Sequence, residues 1–258
     1  MAVVLTSLVV VVIAAAIGAL SLHARTRLFP DAHRHGGESS KDWHDITGYA
    51  TTMVGVFYAL IVGLSLVSVW ENRDAGAQDS RAEAAGLHEV YLLATSLPPA
   101  PRRQIQAEAA AYAHYVETVE WPQMQHGVPL PETGCWTPLT SLRAAATSYQ
   151  PTTTAQNLAA SAIVTQLGTI DAACIGRQSA ANSRMPALLW VGLILGGTLS
   201  VLTAFAHSME WHVRHLTVVM SLTGLIGFTM TLIYVLDNPF IQGFGLGPGP
   251  FVAAFPPG

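Results

Sequence analysis

Charge is what this sequence has least of. Its 258 residues carry 12 Lys+Arg and 16 Asp+Glu, or 11% charged, against roughly 25% in an ordinary soluble domain. That scarcity, joined to 51% hydrophobic residues, excludes a disordered chain, which needs low hydrophobicity and high charge. The formal net charge of −4 supplies no basic face, so no nucleic-acid partner is expected. Cysteine is scarce as well. Two residues cannot staple a small disulfide-rich fold or furnish a four-cysteine zinc site. Catalytic signatures are missing: there is no nucleophile elbow, His-Glu-x-x-His, phosphate loop or Cys-x-x-Cys. We therefore expect no enzyme and no cofactor.

The charges that exist are excluded from four windows: residues 2–22, 46–70, 185–209 (apolar heart 186–205) and 216–236. Each is about 20 residues or slightly more, the length an α-helix needs to cross a ~30 Å hydrocarbon core. The first window lacks a positive leading region, and its small residues Ala14 to Ala16 lie inside the apolar run. It reads as a retained helix rather than a signal peptide. The expected fold is an all-α membrane protein with four transmembrane helices. Residues 1–70 hold helices one and two with a short connecting arm. Residues 71–184 form a helical extramembrane domain, and residues 185–258 hold helices three and four with a short C-terminal tail.

Four crossings put the middle domain and both termini on one face. The short-loop face carries Arg25, Arg27, Arg34, Lys41 and Arg214. The other has Arg73, Arg81, Arg177 and Arg184, which belong to a long segment that counts less. This places the short loops inside and the middle domain in an extracytoplasmic position. Cys135 and Cys174 both lie in that domain. A disulfide is permitted there, and two separate buried thiols are the other reading.

Within the middle domain, Ala82, Gly86, Val90, Leu93 and Leu97 recur at helical spacing, so helix two should run on out of the bilayer. Pro98, Pro99 and Pro101 stop it and restart another helix. Ile105, Ala109, Tyr112, Val116 and Val119 make the next stripe, which Trp121-Pro122 should end. Residues 123–138 read as a loop. Thr137 should cap a helix running from Pro138 to Tyr149, and Pro151 should break it. Residues 152–183 are helical again, with Leu158, Ala162, Thr165, Thr169 and Ala172 on one side.

Certain of these residues form a familiar order. Val56-Phe57-Tyr58-Ala59-Leu60, Val69-Trp70-Glu71, and Glu83-Ala84-Ala85-Gly86-Leu87 with Tyr91 come first. Tyr112 to Tyr115 then lead into Glu120-Trp121-Pro122, followed by Leu188-Leu189-Trp190. Leu236-Asp237-Asn238-Pro239-Phe240 with Gly243 close the series. Together they resemble the bestrophin-like family of bacterial membrane proteins, over roughly residues 5 to 250. The resemblance implies four membrane helices with a helical domain between the second and third. Through the similarity to bestrophins it implies a homo-oligomer, a pentamer, in the bacterial cell membrane, passing small anions across the lipid bilayer. It also implies a cytoplasmic large domain, opposite to the charge argument. No acidic run like the bestrophin calcium clasp is present, so calcium gating is not implied.

Gly55, Ala59 and Gly63 repeat every four residues. Such a stripe serves either a close helix contact or a pore face, with Phe57, Tyr58 and Leu60 as a hydrophobic constriction. Gly192 and Gly196 offer the same close contact. Thr217 with Ser221, and Thr223, Gly227 and Thr231, place hydroxyls and space on helix four, for back-bonding or for solvating an anion. No window holds a charge, which argues against a proton pump or voltage sensor. His212 and His215, one turn apart, could hold a metal or simply lie at the interface. Glu71 and Glu83 are expected to pair with Arg73 and Arg81, or with their equivalents on a neighbouring subunit. Residues 71–184 hold only seven Arg and ten Asp+Glu, so this domain too should bury surface against copies of itself. The expected function is an oligomeric, anion-conducting channel. The alternative is a non-conducting scaffold or sensor whose helical domain binds a protein partner.

Overall fold

One helix, α1 (Ser39–Leu93), runs for 55 residues in the computed structural model, which describes residues 39–131, 135–206 and 213–255. No proline interrupts it until Pro98. A 3-10 turn (Ala94–Ser96) then leads into Leu97, whose extended backbone is what a residue before proline adopts. Pro99 opens α2 (Pro99–Tyr115) in the first turn, where its missing N–H costs nothing. A π-helical turn (Val116–Glu120), α3 (Trp121–Gln125), α4 (Trp136–Thr147) and α5 (Thr154–Asn182) follow. The chain closes with α6 (Ala187–Ala206), α7 (Val213–Leu236) and α8 (Gly249–Ala254). Among the described residues there is no strand.

Two compact units result. The first comprises the described parts of Met1–Val69 and Met185–Val235, and the second Trp70–Arg184 with Leu236–Gly258. Helical stretches long and apolar enough to cross a membrane run over Thr51–Ser96, Ala187–Ala204 and Val219–Leu236. These overlap the charge-free windows 46–70, 185–209 and 216–236. The window at residues 2–22 lies outside the described residues. Thr154–Asn182 also passes on length and composition. It belongs to the second unit, where it buries Arg177.

The second unit has its own core. Ile105, Ala109, Tyr112 and Val116 form the buried stripe of α2, while Val119 is exposed. α2 packs on α4, and α4 on α5. From α1 the core takes Ala84, Leu87 and Val90, and from the 3-10 turn Ala94. Leu158, Thr165, Thr169 and Ala172 of α5 face outward. The buried side is Ala159, Ile163, Leu167, Ile170, Ala173, Cys174 and Arg177. Thr153 caps this helix, its hydroxyl accepting from the Gln156 amide at 3.3 Å.

Two boundaries differ from expectation. Trp121-Pro122 does not end the helical path. The π turn shifts the register, and Pro122 then sits in the first turn of α3, where proline is tolerated. The path stops at Gly127, whose φ of 68° is left-handed. Thr137 is not a cap, because α4 already begins at Trp136 with Cys135 before it. A disulfide joins Cys135 to Cys174, so the bond to α5 holds the start of α4 in place of a capping side chain.

Candidate functional site

The family-patterned residues Glu83, Tyr112 and Glu120 are scattered over α1, α2 and the π turn. They meet around one side chain of α5, Arg177. Arg177 and Glu83 are both 0% exposed, so every charge here must be answered by protein. The Arg177 Nε donates to Glu83 Oε2 at 2.6 Å and Nη2 to Glu83 Oε1 at 3.0 Å, a two-pronged pair. Nη2 also reaches Glu120 Oε2 at 2.6 Å. The Tyr112 hydroxyl donates to Glu83 Oε1 at 2.8 Å, and Gln178 Nε2 to Glu120 Oε1 at 3.4 Å. Desolvation works against the Arg177 cation, but the Glu83 and Glu120 carboxylates hold it above its ordinary range. Burial, and then the Glu83 carboxylate, push the Tyr112 phenol well above its usual range. Burial likewise raises the Glu83 carboxyl, and Arg177 offsets this only in part.

Sulfur and aromatic groups enclose the cluster. Nη1 of Arg177 faces Met124 Sδ at 3.6 Å, and Nη2 faces Cys174 Sγ at 3.5 Å. The guanidinium lies 5.8 Å from the centre of the Phe251 ring. Trp121 meets Phe240 and Phe251 edge-on at 5.3 and 6.0 Å. Tyr91 meets Phe255 at 5.7 Å. Asp237 and Pro239 are buried with the tail. The Pro239 carbonyl accepts from Leu246, and the Asp237 carbonyl from Arg184.

The structure thus brings together Glu83, Tyr112, Glu120, Trp121 and Phe240, but leaves Trp70 and Glu71 exposed and Pro122 half-buried. The expected pairing of Glu83 with Arg73 or Arg81 is corrected. Glu83 pairs with Arg177, because its side chain points into the core while Arg81 lies on the exposed side of α1. Arg177, Gln178, Met124 and Phe251 were not singled out for this site. The available signal was Arg177 itself, a cation on the stripe Ile163, Ile170, Cys174 that otherwise reads as core. The cluster ties α1, α2, the π turn, α3, α5 and α8 together.

Space exists instead in the first unit. A cavity of about 320 Å³ is lined by Thr51, Gly55, Tyr58, Ala59 and Val62 of α1. Ser200, Thr203 and Ala204 of α6 and Leu222, Leu225, Ile226 and Thr229 of α7 complete it. It carries hydroxyls but no ionisable charge. The Tyr58 ring lies on α6, where a Cβ on Gly196 would stand 2.6 Å from its Cδ2. The Tyr58 and Ser65 hydroxyls are buried without a hydrogen-bond partner. Phe57 and Leu60 are exposed, 66% and 58%. Gly63 has open space where a side chain would project. Thr223 is buried, and Thr231 bonds back to the Gly227 carbonyl at 2.8 Å. Among the described residues no three metal-binding side chains gather. His212 lies outside the described residues, and of His215 only its place in α7 is described.

Comparison with solved structures finds the crystal structure of a bacterial bestrophin homolog from Klebsiella pneumoniae carrying a point mutation. It matches with a TM-score of 0.65 over 100% of both chains at 13% identity, a likeness of fold. Comparison with curated proteins returned no match. A sequence profile of the bestrophin-like domain matches residues 12–251, nearly the whole chain. The chain belongs to the bestrophin-like family.

Proposed function

We propose that this protein is a homo-oligomeric channel of the bacterial cell membrane, a pentamer that passes small anions. One observation carries the reading. The uncharged stretch of α1 turns Gly55, Tyr58 and Ala59 to a mainly apolar cavity in which Thr51, Tyr58, Ser200, Thr203 and Thr229 place hydroxyls, and leaves Phe57 and Leu60 uncovered. Hydroxyls can solvate an anion without binding it too tightly to leave, and an apolar ring can gate by dewetting. In an assembly, Phe57 and Leu60 form the constriction between copies, and Gly63, Thr223, Gly227 and Thr231 leave room beside the path. The second unit forms a vestibule on the extracytoplasmic face. Its disulfide supports that side, since such bonds persist in oxidising compartments.

The test is chloride flux from proteoliposomes holding the purified full-length chain. Flux that rises when Phe57 and Leu60 are both replaced by alanine supports the reading. A monomer in detergent with no flux overturns it. One feature favours a scaffold that binds a protein partner: the outer side of α5 exposes Leu158, Val164 and Ile175, with Asp171 at its margin paired to Arg143. In the channel reading the same side contacts the neighbouring copy, and Leu158→Glu then lowers the oligomeric state.

A further inference from the structure

After Asp237 the chain holds no charged residue to its last position. Pro239, Phe240 and Phe251 of that tail are buried, but its turn presents one large apolar side chain outward: Phe244, 63% exposed. The turn is tightly tied. Leu246 donates to the Pro239 carbonyl at 2.7 Å and Gly245 to the Ile241 carbonyl at 2.7 Å. Gly243 takes a left-handed φ of 91°. A side chain at Gly245 would collide with the backbone of Phe240 and Ile241. From outside, Arg73 Nη1 donates to the Phe244 carbonyl at 3.2 Å and Trp121 Nε1 to the Leu246 carbonyl at 3.2 Å. A loop held at so many points cannot fold its phenylalanine inward.

The anchoring groups say what covers it. Arg73 stands three residues beyond Trp70, the exposed end of the charge-free window 46–70. Arg184, which donates to the Asp237 carbonyl at 3.3 Å, directly precedes window 185–209. Asp237 directly follows window 216–236. The turn is thus tied to all three places where the described membrane windows meet the second unit. Exposed Trp and Arg beside a span mark the headgroup depth of a bilayer. We propose that the tip Gln242-Gly243-Phe244 is an interfacial anchor, its phenyl ring seated at the boundary between lipid headgroups and acyl chains.

Both native cysteines are bonded, so Phe244→Cys gives a single reactive thiol in the full-length chain. A spin label placed there, in phosphatidylcholine liposomes, is read for collision with oxygen against a water-soluble nickel complex. Leu195→Cys, within window 185–209 and 64% exposed, sets the lipid value. Glu89→Cys lies on α1, about 28 Å beyond Trp70 at 1.5 Å per residue, and sets the water value. Gln242→Cys repeats the measurement with the phenylalanine intact. The oxygen-to-nickel ratio at 242 and 244 is expected to move from the Glu89 value well toward the Leu195 value. A ratio equal to that at Glu89 overturns the proposal. So does exclusion of both reagents, which places the tip under another protein surface.

Discussion

Arg177 answers two buried carboxylates with one guanidinium, and removing it is therefore worse than losing one interaction. Glu83 and Glu120 would remain without a cation, in a core that water does not reach. Breaking a buried pair from one side costs about 3–5 kcal/mol, whereas replacing the whole set with apolar or neutral groups is often close to neutral. Arg177→Met should accordingly lower the melting temperature sharply in detergent. Adding Glu83→Gln and Glu120→Gln to it should recover most of the loss. The two expected changes are of opposite sign, so the pair of melts separates uncompensated charge from lost packing. Were the triple variant as unstable as the single one, the guanidinium's contacts with Met124, Cys174 and Phe251 would be the larger contribution.

At the scale of elements, helix α1 meets α6 where Tyr58 lies on Gly196 and Gly197. A Cβ on Gly196 would stand 2.6 Å from the ring, well inside contact distance, while one on Gly55 would meet nothing within 4 Å. Gly196→Leu should therefore destabilise the first unit by overpacking, about 1–3 kcal/mol. Gly55→Ala should be neutral or slightly stabilising, since alanine is the better helix former. Thermal melts of the two variants in the same lipid check the contrast. Much at this scale was readable beforehand, because charge-free windows and helical periodicity are local signals. Prolines 98, 99 and 101 mark the break after α1 correctly for the same reason. The π turn was not legible: nothing local in Val116–Glu120 reveals an extra residue that tertiary packing absorbs. The partner of Glu83 was not legible either. It lies 94 positions away along the chain, and the nearer cation Arg81, at i−2, does not share its face of the helix. The cysteines, 39 positions apart, are likewise not paired by sequence alone, which does not show whether two cysteines approach within bonding range.

For the molecule as a whole, two arguments about orientation oppose each other. Arginine and lysine in the short loops place the middle unit outside, while the bestrophin likeness implies a cytoplasmic large domain. The disulfide bears on this independently, because a cytoplasm keeps thiols reduced. It closes a separation of 39 residues, for which loop-closure entropy gives about 4 kcal/mol. A unit with so low a share of charge gains materially from such a bond, so the compartment affects stability as well as topology. The measurement is thiol capture on membranes from expressing cells, denatured in detergent and treated with a maleimide-polymer. An extracytoplasmic second unit predicts no mobility shift until a reductant is added, then two additions per chain. Replacing both cysteines with alanine should then lower the melting temperature of protein purified without reductant by more than that of protein purified reduced, where only the buried thiols' packing is lost. Two additions without reductant would put the unit in the cytoplasm, and the charge asymmetry of the short loops would then not be what sets the orientation.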